Sequence, residues 1–378
     1  MKRSIDRLLT SHAGSLSRPD DLRALVAARH TESPYNAGAF NIRLRNAVAE
    51  VVRKQAECGI DVVNDGELSK VNFTSYARER LGGVSARKRD AARSFKIWGR
   101  DEREFPEYFA NINIGVGDAV CSGPLRYIGQ EAVATDILNL KAAIDQVTIE
   151  EAFLPAVAPG TIEHWLKNEY YASDEAYLAA IADAMREEYL AIVGAGFILQ
   201  IDDPDLGDAW QIHPEMDVPA YRKFAELRIE ALNHALRGIP AARVRFHMCW
   251  GSYHGPHKYD IPLGDIVDLV LKVNAECYSL EASNPRHEHE CRVWEQVKLP
   301  LGKILMPGVV GHASDFVEHP ELVAERLIRY ARLVGRENLI AGTDCGLGTR
   351  VGHPKIAWAK FESMVEGARL ASRQLWNN

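Results

Sequence analysis

The stretch ASDEAYLAAIADAMREEYLAIVGAGFILQIDDP (172–204) opens with apolar residues three and four apart, reaches a glycine stop, and runs at once into a short apolar segment that ends in carboxylates. Helix, stop, buried strand and polar strand end in that order make one unit of a parallel α/β fold. Working outward, the same kind of apolar run recurs at IDVVNDGE (60–67), AVCSGP (119–124), AFLPAV (152–157), VRFHMC (244–249), CYSLEAS (277–283), ILMPGVVGH (304–312) and LIAGTDCG (339–346). With FILQIDDP (197–204) these are eight runs, most of them separated by helix-period sequence. They predict a (β/α)8 TIM barrel, with LLTSHAGS (8–15) left outside as an N-terminal extension. A doubly wound sheet is the runner-up, but Gly82-Gly83 does not supply its G-x-G-x-x-G turn. No low-complexity linker interrupts the chain, so residues 1–378 read as a single domain.

Composition narrows the function. At 47% hydrophobic and 26% charged residues, the 378-residue chain is neither disordered, collagen-like nor coiled-coil. No apolar run approaches the roughly 20 residues that cross a bilayer, and the N-terminus lacks the apolar stretch of a signal peptide; the expected location is the cytoplasm. A net charge of -7 gives no basic field for nucleic acid or an anionic membrane, which leaves small molecules as the expected partners. Six cysteines scattered over so long a chain predict reduced thiols, some of them available as metal ligands.

Residues 86–108, ARKRDAARSFKIWGRDEREFPEY, form a charge-dense insertion after the first predicted barrel strand. They read first as a solvated insertion or lid edge. The functional alternative is an anion-holding patch built from Arg87, Lys88, Arg89, Arg93, Lys96 and Arg100.

Catalytic groups of a barrel sit at the C-terminal ends of its strands. Those ends carry Asp65 and Glu67, Ser122-Gly123-Pro124, Asp202-Asp203, His247 and Cys249, Glu281, His312, and Asp344-Cys345. Residues two apart on a strand share a side, so His247 and Cys249 can grip one ion together, and the common rim brings in Cys345. One imidazole and two thiolates favour zinc over hard cations, and three protein ligands leave an exchangeable position that Glu281 can occupy loosely. Cys58, Cys121, Cys277 and Cys291 read as small core residues. His254, His257, His287 and His289 read as bystanders in polar loops, with His287 and His289 also spaced for an accidental surface metal site.

The segments FHMCWGS (246–252), SLEASN (279–284), GTDCGLGTR (342–350) and LQIDDP (199–204) together resemble the C-terminal catalytic barrel of the cobalamin-independent methionine synthase family. LTSHAGSLSRP (9–19), VVNDGELSK (62–70) and CSGPLRYIGQ (121–130) extend the similarity over almost the whole chain. The resemblance implies a zinc ion held by His247, Cys249 and Cys345, with Glu281 as the displaceable ligand. It implies that Asp202 and Glu67 hold the amino group of a thiol substrate, with Ser15 of the Gly-Ser-Leu turn helping. It further implies that His312 relays protons, although the family's His-Ser-Pro reads His312-Ala313-Ser314 here. The implied activity is methyl transfer from a 5-methyltetrahydrofolate-type donor to homocysteine, giving methionine. EAFLPAVAPG (151–160) and HMCWGSYHGPH (247–257) also look like the single-barrel relatives, which include epoxyalkane:coenzyme M transferase and use other thiols and electrophiles at the same zinc site. A barrel with a purely structural zinc, and a decarboxylase-like barrel, which needs no thiolate ligands, are the alternatives of other classes.

Overall fold

The computed structural model describes residues 1–31, 33–73, 75–86, 99–110 and 119–376. Its strands are β1 (Leu9–Thr10), β2 (Val62–Val63), β3 (Leu81–Ala86), β4 (Ala119–Tyr127), β5 (Glu151–Val157) and β6 (Lys167–Asn168). They continue with β7 (Ile198–Asp202), β8 (Val244–Met248), β9 (Cys277–Leu280), β10 (Ile304–Val310) and β11 (Ile340–Thr343). Eight of them form one sheet in the order β1-β11-β10-β9-β8-β7-β5-β2, and every recorded ladder in it is parallel. The ends of this sheet meet through the Asp61 N–H on the Thr10 carbonyl (3.2 Å) and the Ser11 hydroxyl on the Val62 carbonyl (3.0 Å). The result is the predicted TIM-type barrel.

The segment that decides the fold behaves as its pattern requires. Ser173 caps the helix Asp174–Gly194 by accepting from the Ala176 N–H, and acidic Asp174 and Glu175 occupy its positive first turn. Tyr177, Ile181, Met185, Tyr189 and Ile192 fall on its buried face. Gly196, at φ 94°, turns the chain into β7, whose five residues are all buried between β5 and β8.

The register stacks side chains inside the barrel in layers. Val62, Phe153 and Ile198 form one apolar interior group, and Leu9, Cys277, Ile304, Met306 and Ile340 form another, both touching Met1. One layer up, Gln200 lies opposite Arg245 and Arg245 opposite Cys277. The buried Arg245 guanidinium donates to the Gln200 side-chain Oε1 (2.7 Å), the Ser11 hydroxyl (2.8 Å) and the His12 backbone carbonyl (3.1 Å). Above that, Asp202 lies opposite His247 and His247 opposite Ser279. The chemically distinctive residues are therefore the top layer of the barrel filling, at its C-terminal mouth.

Two strand assignments differ from the sequence reading. The run at 8–15 is not an extension: it supplies β1, a barrel strand whose Leu9 lies opposite Ile340. The run at 119–124 belongs instead to β4, which pairs antiparallel with β3 and parallel with β6 in a separate three-stranded sheet. Its exposure pattern explains the difference, because Ser122, Pro124 and Arg126 face solvent, whereas barrel strands are buried on both faces. No described helix is long and apolar enough to cross a membrane.

Candidate metal centre

Strand alternation puts Arg245, His247 and Cys249 on the inner side of β8 and its continuation, and Cys345 follows the end of β11. The two sulfurs are 3.9 Å apart. One donor atom each from His247, Cys249 and Cys345 lies within 4.8 Å of the others. Ser279, opposite on β9, meets His247 Nδ1 at 3.0 Å, and His247 Nε2 is left buried with no hydrogen-bond partner among the described residues. Two sulfurs each about 2.3 Å from one tetrahedral ion stand roughly 3.8 Å apart. The spacing, the orphaned imidazole nitrogen and the two-sulfur, one-nitrogen donor set all fit zinc. The hydrogen bond between the two thiols holds Cys345 well below the usual thiol range, helped by His247 and His312, and pushes Cys249 well above it. The adjacent Cys345 raises His247 despite its burial.

Cys249, Cys345 and His247 lie on the wall of a cavity of about 770 Å3 that is also lined by Ser15, Glu67 and Asp202. That volume suits a ligand of drug size, larger than a small thiol alone. Burial pushes the Glu67 carboxyl up to about 8 and that of Asp202 up to about 6, and a cation placed beside them would favour the charged form of each. Asp202 Oδ1 accepts from Gln200 Nε2 (2.7 Å), whose own carbonyl is held by Arg245. Glu67 sits at φ 57°, a left-handed conformation unfavourable for a residue with a Cβ. Its turn is held by the Gly66 N–H on Asn64 Oδ1 (2.9 Å) and the Glu67 N–H on Asp65 Oδ1 (3.0 Å). Gly14 lets the β1 loop approach, since a Cβ there would lie 2.8 Å from Glu67 Oε1.

Glu281 and His312 are not on the cavity wall. They form a neighbouring buried set with Asp344, again with donor atoms within 4.8 Å. Glu281 Oε2 accepts the Trp250 N–H (3.1 Å), and Oε1 accepts the Asn284 side-chain amide. Asp344 clamps the loop after β9 by accepting from the N–H groups of Ala282 (2.7 Å) and Ser283 (2.8 Å) and the Ser283 hydroxyl (2.7 Å). Neither nitrogen of His312 has a hydrogen-bond partner among the described residues.

Other expectations fare differently. Ser122 belongs to the side sheet, where it meets Ser85, and not to the barrel mouth. Of the insertion, residues 87–98 lie outside the described residues. Arg100 is committed to structure: it donates to the carbonyls of Trp210, His213 and Met216 and stacks on the Trp210 ring. Cys121, Cys277 and Cys291 are buried and Cys58 half-buried. His287, read as a loop bystander, is instead buried against Trp250 with a carboxylate on each ring nitrogen. Burial disfavours its charge, but Asp260 and Glu290 outweigh that and raise it to about 9. Lys70, not among the residues expected from the sequence, is a buried cavity residue whose ammonium reaches the Pro155 carbonyl at 2.5 Å. Its signal was in plain view, three residues after Glu67 in a segment ending a barrel strand.

Fold and site together define a parallel barrel with a candidate metal site of one imidazole and two thiols at its C-terminal mouth. The chain belongs to the family described as cobalamin-independent synthase, catalytic domain, which matches residues 128–370. It is 27% identical over 340 residues to the methionine synthase of Thermococcus kodakarensis, covering 89% of this chain and 85% of that one. It is 25% identical over 378 residues to the methionine synthase of Sulfolobus acidocaldarius, covering 99% and 95%. Among solved structures, a B12-independent methionine synthase from Shewanella sp. W3-18-1 in complex with selenomethionine shares the fold at TM-score 0.72 and 22% identity, over 98% of this chain and 100% of that one.

Proposed function

We propose that the protein transfers a methyl group to the sulfur of homocysteine, giving methionine, with a zinc ion held by His247, Cys249 and Cys345 and Glu281 as its exchangeable fourth ligand. The observation that carries this reading is the thiol pair 3.9 Å apart beside an unpartnered His247 Nε2, on the wall of a cavity that also presents Glu67 and Asp202. The family and the methionine synthases it resembles in sequence point the same way.

Zinc supplies Lewis acidity that keeps an incoming thiol ionised near neutral pH, where a free thiol of pKa about 8.5 is mostly protonated. The protein's own residues do the rest. Asp202 and Glu67 pair with the ammonium group of the amino-acid thiol and Ser15 contributes a hydroxyl, which orients the sulfur toward the centre. The methyl carbon then gains a bond to sulfur as its bond to N5 of a reduced folate breaks, and the electron pair left on nitrogen takes a proton. His312, buried beside Glu281 and Asp344 behind the cavity wall and with both nitrogens free of protein hydrogen bonds among the described residues, would pass that proton on through an intervening water.

The carboxylates also decide between acceptors. A sulfonated thiol such as coenzyme M would place an anion beside Asp202 and Glu67, whereas homocysteine offers them an ammonium group. Zinc-loaded protein given labelled 5-methyltetrahydrofolate and homocysteine is expected to form labelled methionine, and to form no adduct from coenzyme M and epoxypropane. The converse result would overturn this assignment of acceptor and donor.

A further inference from the structure

We infer that His287 is a positioning residue which, through Trp250 and Asn284, restrains Glu281 on protein donors and so sets how readily that exchangeable carboxylate competes with an incoming thiol. This inference rests on the metal reading above and adds a control element to it.

Both oxygens of Glu281 are engaged by protein donors, Oε2 by the Trp250 backbone N–H at 3.1 Å and Oε1 by the Asn284 side-chain amide. Both donors lead to the same residue. The Trp250 indole lies on the His287 ring, with centroids 3.9 Å apart and planes at 17°. The Asn284 side-chain carbonyl accepts the backbone N–H groups of His287 (3.0 Å) and its neighbour Arg286 (2.8 Å). Those two bonds orient the Asn284 amide so that its NH2 faces Glu281.

His287 is itself held from two sides. Its Nδ1 meets Glu290 Oε2 at 2.8 Å and its Nε2 meets Asp260 Oδ2 at 3.0 Å. Carboxylates accept, so both ring nitrogens donate and the ring is a cation, well suited to lie under an indole face. Glu290 also takes the Leu263 N–H (2.6 Å), and Asp260 also takes Gln211 Nε2 (2.9 Å) and His257 Nδ1 (2.8 Å). His287, Asp260 and Glu290 are buried, and none of them lines the cavity. A buried ionic cluster contributes little net stability against an apolar replacement, so what this one supplies beneath Trp250 is geometry.

The consequence concerns ligand exchange. While Glu281 is held by its protein donors, it is a weak fourth ligand that cedes its position to an incoming thiol. When the hold is loosened, Glu281 becomes a stronger competing oxygen ligand. The test compares wild type, His287→Ala and Asn284→Ala, each alone and combined with Glu281→Gln. The readouts are the rate at which a chelator strips zinc, the visible spectrum of the cobalt-substituted protein without thiol, and the KM for homocysteine. Both single variants are expected to release zinc more slowly, to show an altered cobalt spectrum before thiol is added, and to raise the homocysteine KM by about tenfold. All three effects are expected to vanish in the Glu281→Gln background, which a role in stability alone would not produce. Asn284, only half-buried, keeps the test open if His287→Ala does not fold. Unchanged zinc release and KM in variants that load zinc normally, or effects of full size persisting beside Glu281→Gln, would overturn the inference while leaving the metal reading intact. A wild-type protein that binds no zinc would overturn both.

Discussion

Cys345→Ser is expected to lose zinc and, with it, all measurable methyl transfer, while the barrel stays folded. The serine hydroxyl is close in size to the thiol but does not ionise near neutral pH, so the centre keeps its shape and loses half of its thiolate donors. Loss of an outer-shell partner alone typically costs about 10–100-fold in metal affinity or activity, and removal of a direct ligand costs more. Cys249→Ser is expected to behave alike, because its sulfur stands 3.9 Å from that of Cys345 and belongs to the same donor set. Cys277→Ser is the control, since this thiol lies lower in the barrel, opposite Arg245, among Leu9, Ile304, Met306 and Ile340. Metal content, chelator competition and circular dichroism on the three variants separate loss of zinc from loss of fold. Retained turnover in folded, zinc-free Cys345→Ser would contradict the proposed mechanism.

Asp202→Asn is expected to raise the KM for homocysteine by about 10–100-fold with zinc content unchanged. A hydrogen bond to a charged group is worth about 1.5–3 kcal/mol, and the amide removes the charge while keeping the volume. The Gln200 bond to Asp202 Oδ1 (2.7 Å) survives in the amide, since Asn retains one oxygen acceptor, so the wall of the cavity is kept. The contrast that isolates the cause is 4-mercaptobutyrate, a thiol acid without the amino group, whose KM the substitution is expected to leave alone. An unchanged homocysteine KM, or an equal effect on both thiols, would remove Asp202 from ammonium recognition.

Much of the site was legible because strand alternation is a rule about neighbours: His247 and Cys249, two apart, had to share a side. Cys345 was legible for a different reason, as barrel closure brings every strand end to one rim. Features set by partners distant in sequence were not. β1 is two residues long, and it is a barrel strand only because Leu9 meets Ile340 and Thr10 meets Asp61. β4 has the apolar content of a barrel strand, and only the exposure of alternate residues separates it from one. His287 sits in a run of polar residues whose composition says loop, yet the Trp250 ring and two carboxylates bury it. Arg100 looked free to meet an anion, while three backbone carbonyls take up its guanidinium. Glu281 ends its strand as expected, but the pull of Trp250 and Asn284 on its two oxygens has no sequence signature.

The most direct test of the central claim is zinc-edge X-ray absorption on the purified protein with and without homocysteine. The account predicts a centre with two sulfur neighbours, from Cys249 and Cys345, that gains a further sulfur when homocysteine is added and gains none with coenzyme M. Zinc that keeps the same sulfur count at saturating homocysteine would contradict thiol activation at this site.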